Sequence, residues 1–218
     1  MTEARTALAE AARYLFERGL SHGKTGNVSL RSDEGLLVSP TGSSLGSVSA
    51  ADFSVVDPLN RHLSGPTPSK ESFLHAAILR ARPGDQAVVH THSLYSAAIS
   101  CLADLDAEDA IPAFTAYFAM RVGRVVLLPY HAPGDTDLGA IAETAAAGTA
   151  ALLLRNHGPI VSAPTLDAAV EALEELEETA KLFFLLRGFD VAPLSSERRS
   201  ELRGTSRTPQ PERTGIND

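Results

Sequence analysis

The stretch Ala87-Val88-Val89-His90-Thr91-His92-Ser93 decides how this chain is read. Three apolar residues, two of them β-branched, run into two histidines, and that composition favours a buried strand. On a strand, residues i and i+2 project from one face, so His90 and His92 point the same way and Thr91 points the other. Two imidazoles on one face, at the carboxyl end of a buried strand, make half of a metal site. The pair alone serves equally well as two hydrogen-bonded histidines in a polar cleft.

A second stretch repeats the theme. Ala150 to His157 reads as a buried strand that ends at a histidine, followed by a hairpin-type turn at Gly158-Pro159. Upstream of the first strand, the stiff segment Pro66-Thr67-Pro68 delivers Ser69-Lys70-Glu71 to a helix whose apolar stripe is Phe73, Leu74, Ala77, Ile78 and Ala81. Ser69 is expected as its N-cap and Glu71 in its first turn, where a carboxylate also complements the helix dipole. His75, one turn after Glu71, is expected to share its face, partly buried, either as a packing residue or as one that supports the metal ligands from behind.

The rest of the chain supplies a frame. Residues 3–19 carry apolar positions at helical spacing and stop at Gly19. Ser21-His22-Gly23-Lys24-Thr25-Gly26-Asn27 is a glycine-bearing loop that enters a short strand, and such loops can cradle an anion. Leu36–Ser39 and Asp52–Asp57 read as further strands, with Pro40-Thr41-Gly42-Ser43-Ser44-Leu45-Gly46 as a second glycine-rich loop between them. Short strands with turns between them predict an antiparallel or mixed sheet. Thr165 caps a long helix, with Glu171, Glu174, Glu175, Glu177 and Glu178 expected on its solvated face. One domain over residues 1–194 is expected, with a polar tail over 195–218.

Composition narrows the function. A net charge of −8 argues against general nucleic-acid binding, so an anionic substrate needs a local positive site. Cys101 is the single cysteine. That rules out an intramolecular disulfide and fits a reducing, cytoplasmic compartment. The charged start, Met1-Thr2-Glu3-Ala4-Arg5, is unlike a signal peptide, and no apolar run is long enough to span a membrane. Histidine and carboxylate must therefore make any metal site. Glu71, His90, His92 and His157 form a set that suits Zn²⁺, with Mn²⁺ or Co²⁺ as alternatives. Glu71 could leave the metal when substrate arrives and act as a base.

Gly26-Asn27-Val28-Ser29, Pro40-Thr41-Gly42-Ser43-Ser44, Pro68-Ser69-Lys70-Glu71, His90-Thr91-His92 and Asn156-His157-Gly158 resemble, in order and spacing, the class II aldolase/adducin family. The resemblance covers roughly residues 5–190. It implies a three-layer α/β fold with a central, mostly antiparallel sheet flanked by helices, in a homotetramer with active sites between subunits. It also implies Zn²⁺ on His90, His92 and His157, acid/base chemistry at Glu71, and a phosphate cradle of Asn27, Thr41, Gly42, Ser69 and Lys70. Lys70 is otherwise a solvated lysine at a helix start.

Within the family, these motifs together with Tyr117 to Gly123 and Pro129-Tyr130 look most like the branch that decarboxylates 3-oxo-tetronate 4-phosphates. Such a reaction yields dihydroxyacetone phosphate through an enediolate stabilised by the metal. Tyr117 is then either a proton donor or a packing aromatic. Two other readings are an aldolase acting on a ketose 1-phosphate such as L-fuculose 1-phosphate, and a non-catalytic adducin-like scaffold. An intact Glu71 and three histidines disfavour the scaffold.

Overall fold

The computed structural model describes residues 3–205. The expected tail therefore lies outside the described residues from 206 onward. In chain order the elements are α1 (Glu3–Glu17), β1 (Asn27–Ser32), β2 (Gly35–Val38), β3 (Ser54–Val56), β4 (His62–Ser64), α2 (Ser72–Ala81), β5 (Ala87–His90) and α3 (Leu94–Ser100). There follow α4 (Ala116–Arg121), β6 (Val125–Leu128), α5 (Leu138–Ala146), β7 (Ala151–Leu154), β8 (Gly158–Ala163), α6 (Leu166–Leu185) and α7 (Ser196–Thr205).

The strands form one sheet in the order β4-β3-β2-β1-β5-β8-β7-β6. Every neighbouring pair is antiparallel except β6 and β7. Strand alternation sends the apolar side chains to two faces. Val28, Leu37, Val89, Leu153 and Val161 pack toward α1, α3, α4 and α6. Val38, Val88, Leu152, Leu154 and Ile160 pack toward α2 and α5. Each fully buried side chain of this kind stabilises the fold by about 1.5–3 kcal/mol relative to exposure. The result is the expected three-layer α/β architecture.

The local signals mostly hold. Gly19 lies in the left-handed region (φ 73°) just past α1, as a C′ glycine does. The Thr165 hydroxyl accepts the Ala168 N–H at 3.1 Å and caps α6. Two expectations fail for identifiable reasons. Ser69 does not cap α2: the helix starts at Ser72 with Glu71 at its N-cap. Ser69 and Lys70 belong to a preceding turn in which the Ser69 hydroxyl accepts from the Glu71 N–H. Glu177 is not solvated but buried. Its carboxylate accepts from Tyr95 N, Ser96 N and the Ser96 hydroxyl, so it satisfies the start of α3.

The chain beyond Leu194 begins as helix α7, which docks through Arg199 onto the Asp109 carboxylate and the Gly123 carbonyl. Among the described residues no helix is long and apolar enough to cross a membrane.

Candidate metal centre and substrate cavity

Three neighbouring strand ends build the site. Asn27 opens β1 and pairs with His90, the last residue of β5. On the other side β5 pairs with β8, with His90 opposite Ile160. The three-residue turn between β7 and β8 ends at His157, with Asn156 in the left-handed conformation (φ 55°) that such turns favour. Ser100 of α3 anchors that turn: its carbonyl accepts from Asn156 N and its hydroxyl from His157 N.

The strand stops at His90, so His92 sits in irregular chain just beyond it. Gly158 makes the close approach possible, because a Cβ there would run into the Thr91 carbonyl. Gly26 does the same on the other side: its φ is +77°, and a Cβ would lie 2.7 Å from the His90 carbonyl.

These elements bring Glu71, His90, His92 and His157 together, with one ligand atom of each within 4.8 Å of the others. The Glu71 carboxylate spans the group, with Oε2 3.4 Å from His90 Nε2 and Oε1 3.3 Å from His157 Nε2. The Nε2 atoms of His92 and His157 face each other at 2.8 Å.

His90 provides the test of fit for a metal. Its ring is fully buried and Nδ1 donates to the Pro159 carbonyl at 2.8 Å. Nε2 therefore carries the lone pair, and this buried atom has no hydrogen-bond partner. An imidazole with Nδ1–H on a backbone carbonyl and a bare Nε2 aimed at a carboxylate and two more imidazoles is built to ligate a divalent cation.

Electrostatics agree. Burial, with mutual repulsion among the histidines, pushes His92 down to about 3 and His157 down to about 4, so both rings are neutral ligands at pH 7. Burial raises Glu71, but its interactions with the neighbouring histidines and the Asn27 hydrogen bond outweigh it, and the carboxyl stays below its ordinary value.

The group opens into a small cavity of about 190 Å³. Asn27, Thr41, Gly42, Ser69, Lys70, Glu71, His92 and His157 all line it, and His90 lies buried beneath. The sequence reading missed Lys24 and Pro133, which also line it. Lys24 stands inside the glycine-bearing loop that was read as an anion cradle, so the signal was present but unused. Asn27 is less free than a cradle residue would be. One amide hydrogen goes to Glu71 Oε2 at 2.8 Å, and Oδ1 takes a hydrogen from His75 at 2.5 Å.

Tyr117 is not brought to the cavity. It is exposed on α4 with the Arg121 guanidinium 5.2 Å over its ring. A larger open groove of about 720 Å³ between α1 and α6 carries Glu10, Asp167, Glu171 and Glu174 but no histidine. The histidine–glutamate group lies in the smaller cavity.

The profile of the class II aldolase and adducin N-terminal domain matches residues 6–184. The chain belongs to that family. It is 44% identical over 200 residues to 3-oxo-tetronate 4-phosphate decarboxylase of Pectobacterium atrosepticum, covering 91% of this chain and 92% of that one. It is 31% identical over 193 residues to L-fuculose phosphate aldolase of Haemophilus influenzae, covering 87% of each. Among solved structures, YgbL of Klebsiella pneumoniae superposes with a TM-score of 0.89 at 41% identity, over 93% of this chain and all of that one. The mostly antiparallel sheet and its helical layers are thus those of the family.

Proposed function

We propose that this protein is a metal-dependent carbon–carbon lyase that decarboxylates a 3-oxo-tetronate 4-phosphate to dihydroxyacetone phosphate and CO₂. The observation that carries the proposal is the cavity itself. Three histidines and Glu71 form its floor, and Lys24 and Lys70 line it without an ion pair to any described residue. Two unpaired ammonium groups in a chain of net charge −8 suit a substrate with two separate anionic groups. A 3-oxo acid phosphate has two, whereas a ketose 1-phosphate has one. The 44% identical relative named for this reaction supports the same choice.

The chemistry follows from the residues. Ser69, Lys70, Thr41 and Gly42 hold the phosphate, joined by the amide hydrogen of Asn27 not given to Glu71. The C1–C2 bond breaks, CO₂ leaves, and the electron pair becomes the C2–C3 enediolate. When bound, a divalent cation supplies Lewis-acid stabilisation of that negative charge. We assign the cation as Zn²⁺ on chemical preference, ahead of Mn²⁺ or Co²⁺. One proton is taken up at C2, and Glu71 is placed to move it.

Tyr117 serves as proton donor in this proposal only if a second copy of the chain presents it to the cavity. That requires the expected homotetramer. The exposed apolar side chains Leu94, Tyr117, Met120 and Phe189 give such an assembly a surface to bury. The protein is proposed to work in the cytoplasm on this small phosphorylated substrate, with no nucleic acid or membrane partner.

A panel of phosphorylated 3-oxo sugar acids and ketose 1-phosphates tests the assignment. CO₂ release without an added aldehyde is expected. Cleavage of ketose phosphates to an aldehyde, with no CO₂ from any sugar acid, would overturn it in favour of the aldolase that the 31% identical relative represents.

A further inference from the structure

A chain of hydrogen bonds runs from the sheet to Glu71 through a histidine that binds nothing in the cavity. His75 is fully buried, with Nδ1 2.7 Å from the Ser29 hydroxyl and Nε2 2.5 Å from Asn27 Oδ1. Asn27 Nδ2 then reaches Glu71 Oε2 at 2.8 Å. The direction of every bond in this chain follows from donor chemistry. An ionised carboxylate only accepts, so the Asn27 amide must turn its NH₂ toward Glu71 and its oxygen toward His75. An amide oxygen only accepts, so His75 must carry its hydrogen on Nε2. Burial, with repulsion from His90, pushes His75 down to about 3, so the ring is neutral and Nδ1 is a bare acceptor. Ser29 must therefore donate to it.

We infer that His75, held in the Nε2–H form, is a positioning residue that locks the Asn27 amide and through it aims the Glu71 carboxylate. The inference rests on Glu71 being the acid/base group.

The physical reason is that an asparagine amide can rotate by half a turn at little steric expense. Flipped, Asn27 would set its carbonyl oxygen against the Glu71 carboxylate, two acceptors face to face. His75 forbids the flip while its hydrogen sits on Nε2, because the turned amide would set its NH₂ against that N–H. Exchanging the tautomer would need a proton to reach a ring with no exposed surface. Position 75 is one helical turn from Glu71, so α2 carries both the carboxylate and the group that governs its orientation.

Three measurements on the metal-loaded protein test this. ¹⁵N spectra of the wild-type imidazoles should show His75 protonated at Nε2 and bare at Nδ1. A bare Nε2 with a protonated Nδ1 would overturn the inference whatever the substrate proves to be. His75→Phe fills the space without a donor and should lower kcat roughly 10–100-fold, the usual effect of removing such a supporting group. KM should move by less than about threefold, because phosphate contacts remain. His75→Gln, whose amide can donate to Asn27 and accept from Ser29, should recover most of the loss. Equal impairment of both variants would mean that ring volume, not the donor, matters, and equal activity to wild type would mean that neither does. If His75→Phe does not fold, His75→Leu replaces it: kcat is expected to fall over the same range, and an unchanged kcat would overturn the inference. Failure of the substrate panel leaves the spectra standing, so the two proposals fail separately.

Discussion

His92 Nε2 lies 2.8 Å from His157 Nε2, although 65 positions separate them in the chain. Burial, with repulsion from His90, holds both rings neutral, and the two Nε2 atoms converge with a third on His90. Protein atoms alone leave the His90 nitrogen unmatched. A divalent cation would satisfy all three. Purified protein should therefore carry about one divalent ion per chain, and adding the ion to chelated protein should raise its unfolding temperature. At a ligand concentration about a thousandfold above Kd the gain is about 4 kcal/mol. Elemental analysis and thermal unfolding check this, and a chelated protein whose melting is indifferent to Zn²⁺, Mn²⁺ and Co²⁺ would remove the metal from the account.

Glu71→Gln should separate binding from chemistry. Glutamine keeps the shape and one ligand oxygen, and the three histidines are untouched, so the variant should retain its metal. It cannot accept a proton. Turnover should fall by roughly 10²–10⁴, the usual worth of general acid–base catalysis. Metal content and single-turnover CO₂ release measured on the same sample decide the matter, and a variant that loses the ion along with activity would show Glu71 to be mainly a ligand.

The frame and the clustered side chains were legible in the sequence because each rests on a local rule. Strand alternation made Val88, Val89 and His90 readable, and the apolar run from Ala150 pointed to His157, although the strand stops at Leu154 and His157 falls in the turn beyond it. What escaped depended on groups distant in sequence. Ser69 looked like a cap because its residue type suits one, yet the bridge between Pro40 and Pro68 holds it in a turn before α2. Glu177 was grouped with its charged neighbours. Its spacing from Leu173 and Ala180 places it on the buried stripe, but only the fold shows which N–H groups await it. Tyr117 does not line the cavity, and no pattern within one chain can reveal what a second copy would bring.

Glu177→Ala should therefore destabilise the protein although the residue lies outside the cavity. The substitution strips acceptors from Tyr95 N, Ser96 N and the Ser96 hydroxyl at the start of α3. Leaving buried donors unmatched costs about 1–3 kcal/mol. Because Ser100 at the other end of α3 holds the His157 turn, metal affinity should weaken as well. Urea unfolding measures the first effect and metal titration the second; a loss of stability below about 0.5 kcal/mol, the range of ordinary surface changes, would contradict the capping role.

Chelated protein should lose stability on acidification above the range where carboxylates dominate. His75 sits at about 3 in the folded protein and near 6.5 when unfolded. Between those values the unfolded chain binds a proton that the folded one refuses, so stability falls as pH drops from about 6.5 to about 3. One proton contributes a slope of about 1.4 kcal/mol per pH unit in that window. His92 and His157 act in the same direction. His75→Phe should flatten this dependence, as read from urea unfolding at several pH values. An unaltered slope would mean that His75 is not the buried neutral ring described.

Lys24 gives the sharpest test of the substrate's charge. Its turn is rigid: the Ser21 hydroxyl donates to the Thr25 carbonyl, and the Thr25 hydroxyl donates back to the His22 carbonyl, both at 2.7 Å. The turn therefore holds the lysine backbone beside the cavity that Lys70 also lines. Lys24→Met keeps the length of the stem and removes the charge. A hydrogen bond to a charged group is worth about 1.5–3 kcal/mol, so KM for the sugar-acid phosphate should rise roughly 10–100-fold with kcat little changed. The salt dependence of kcat/KM should shrink, since one steering charge is gone. A ketose 1-phosphate, with one anionic group already served by Lys70, should feel the change less. If the two substrates respond alike, Lys24 assists the phosphate rather than the carboxylate. If neither responds, the second ammonium has no part in recognition and the argument for a doubly anionic substrate loses its footing.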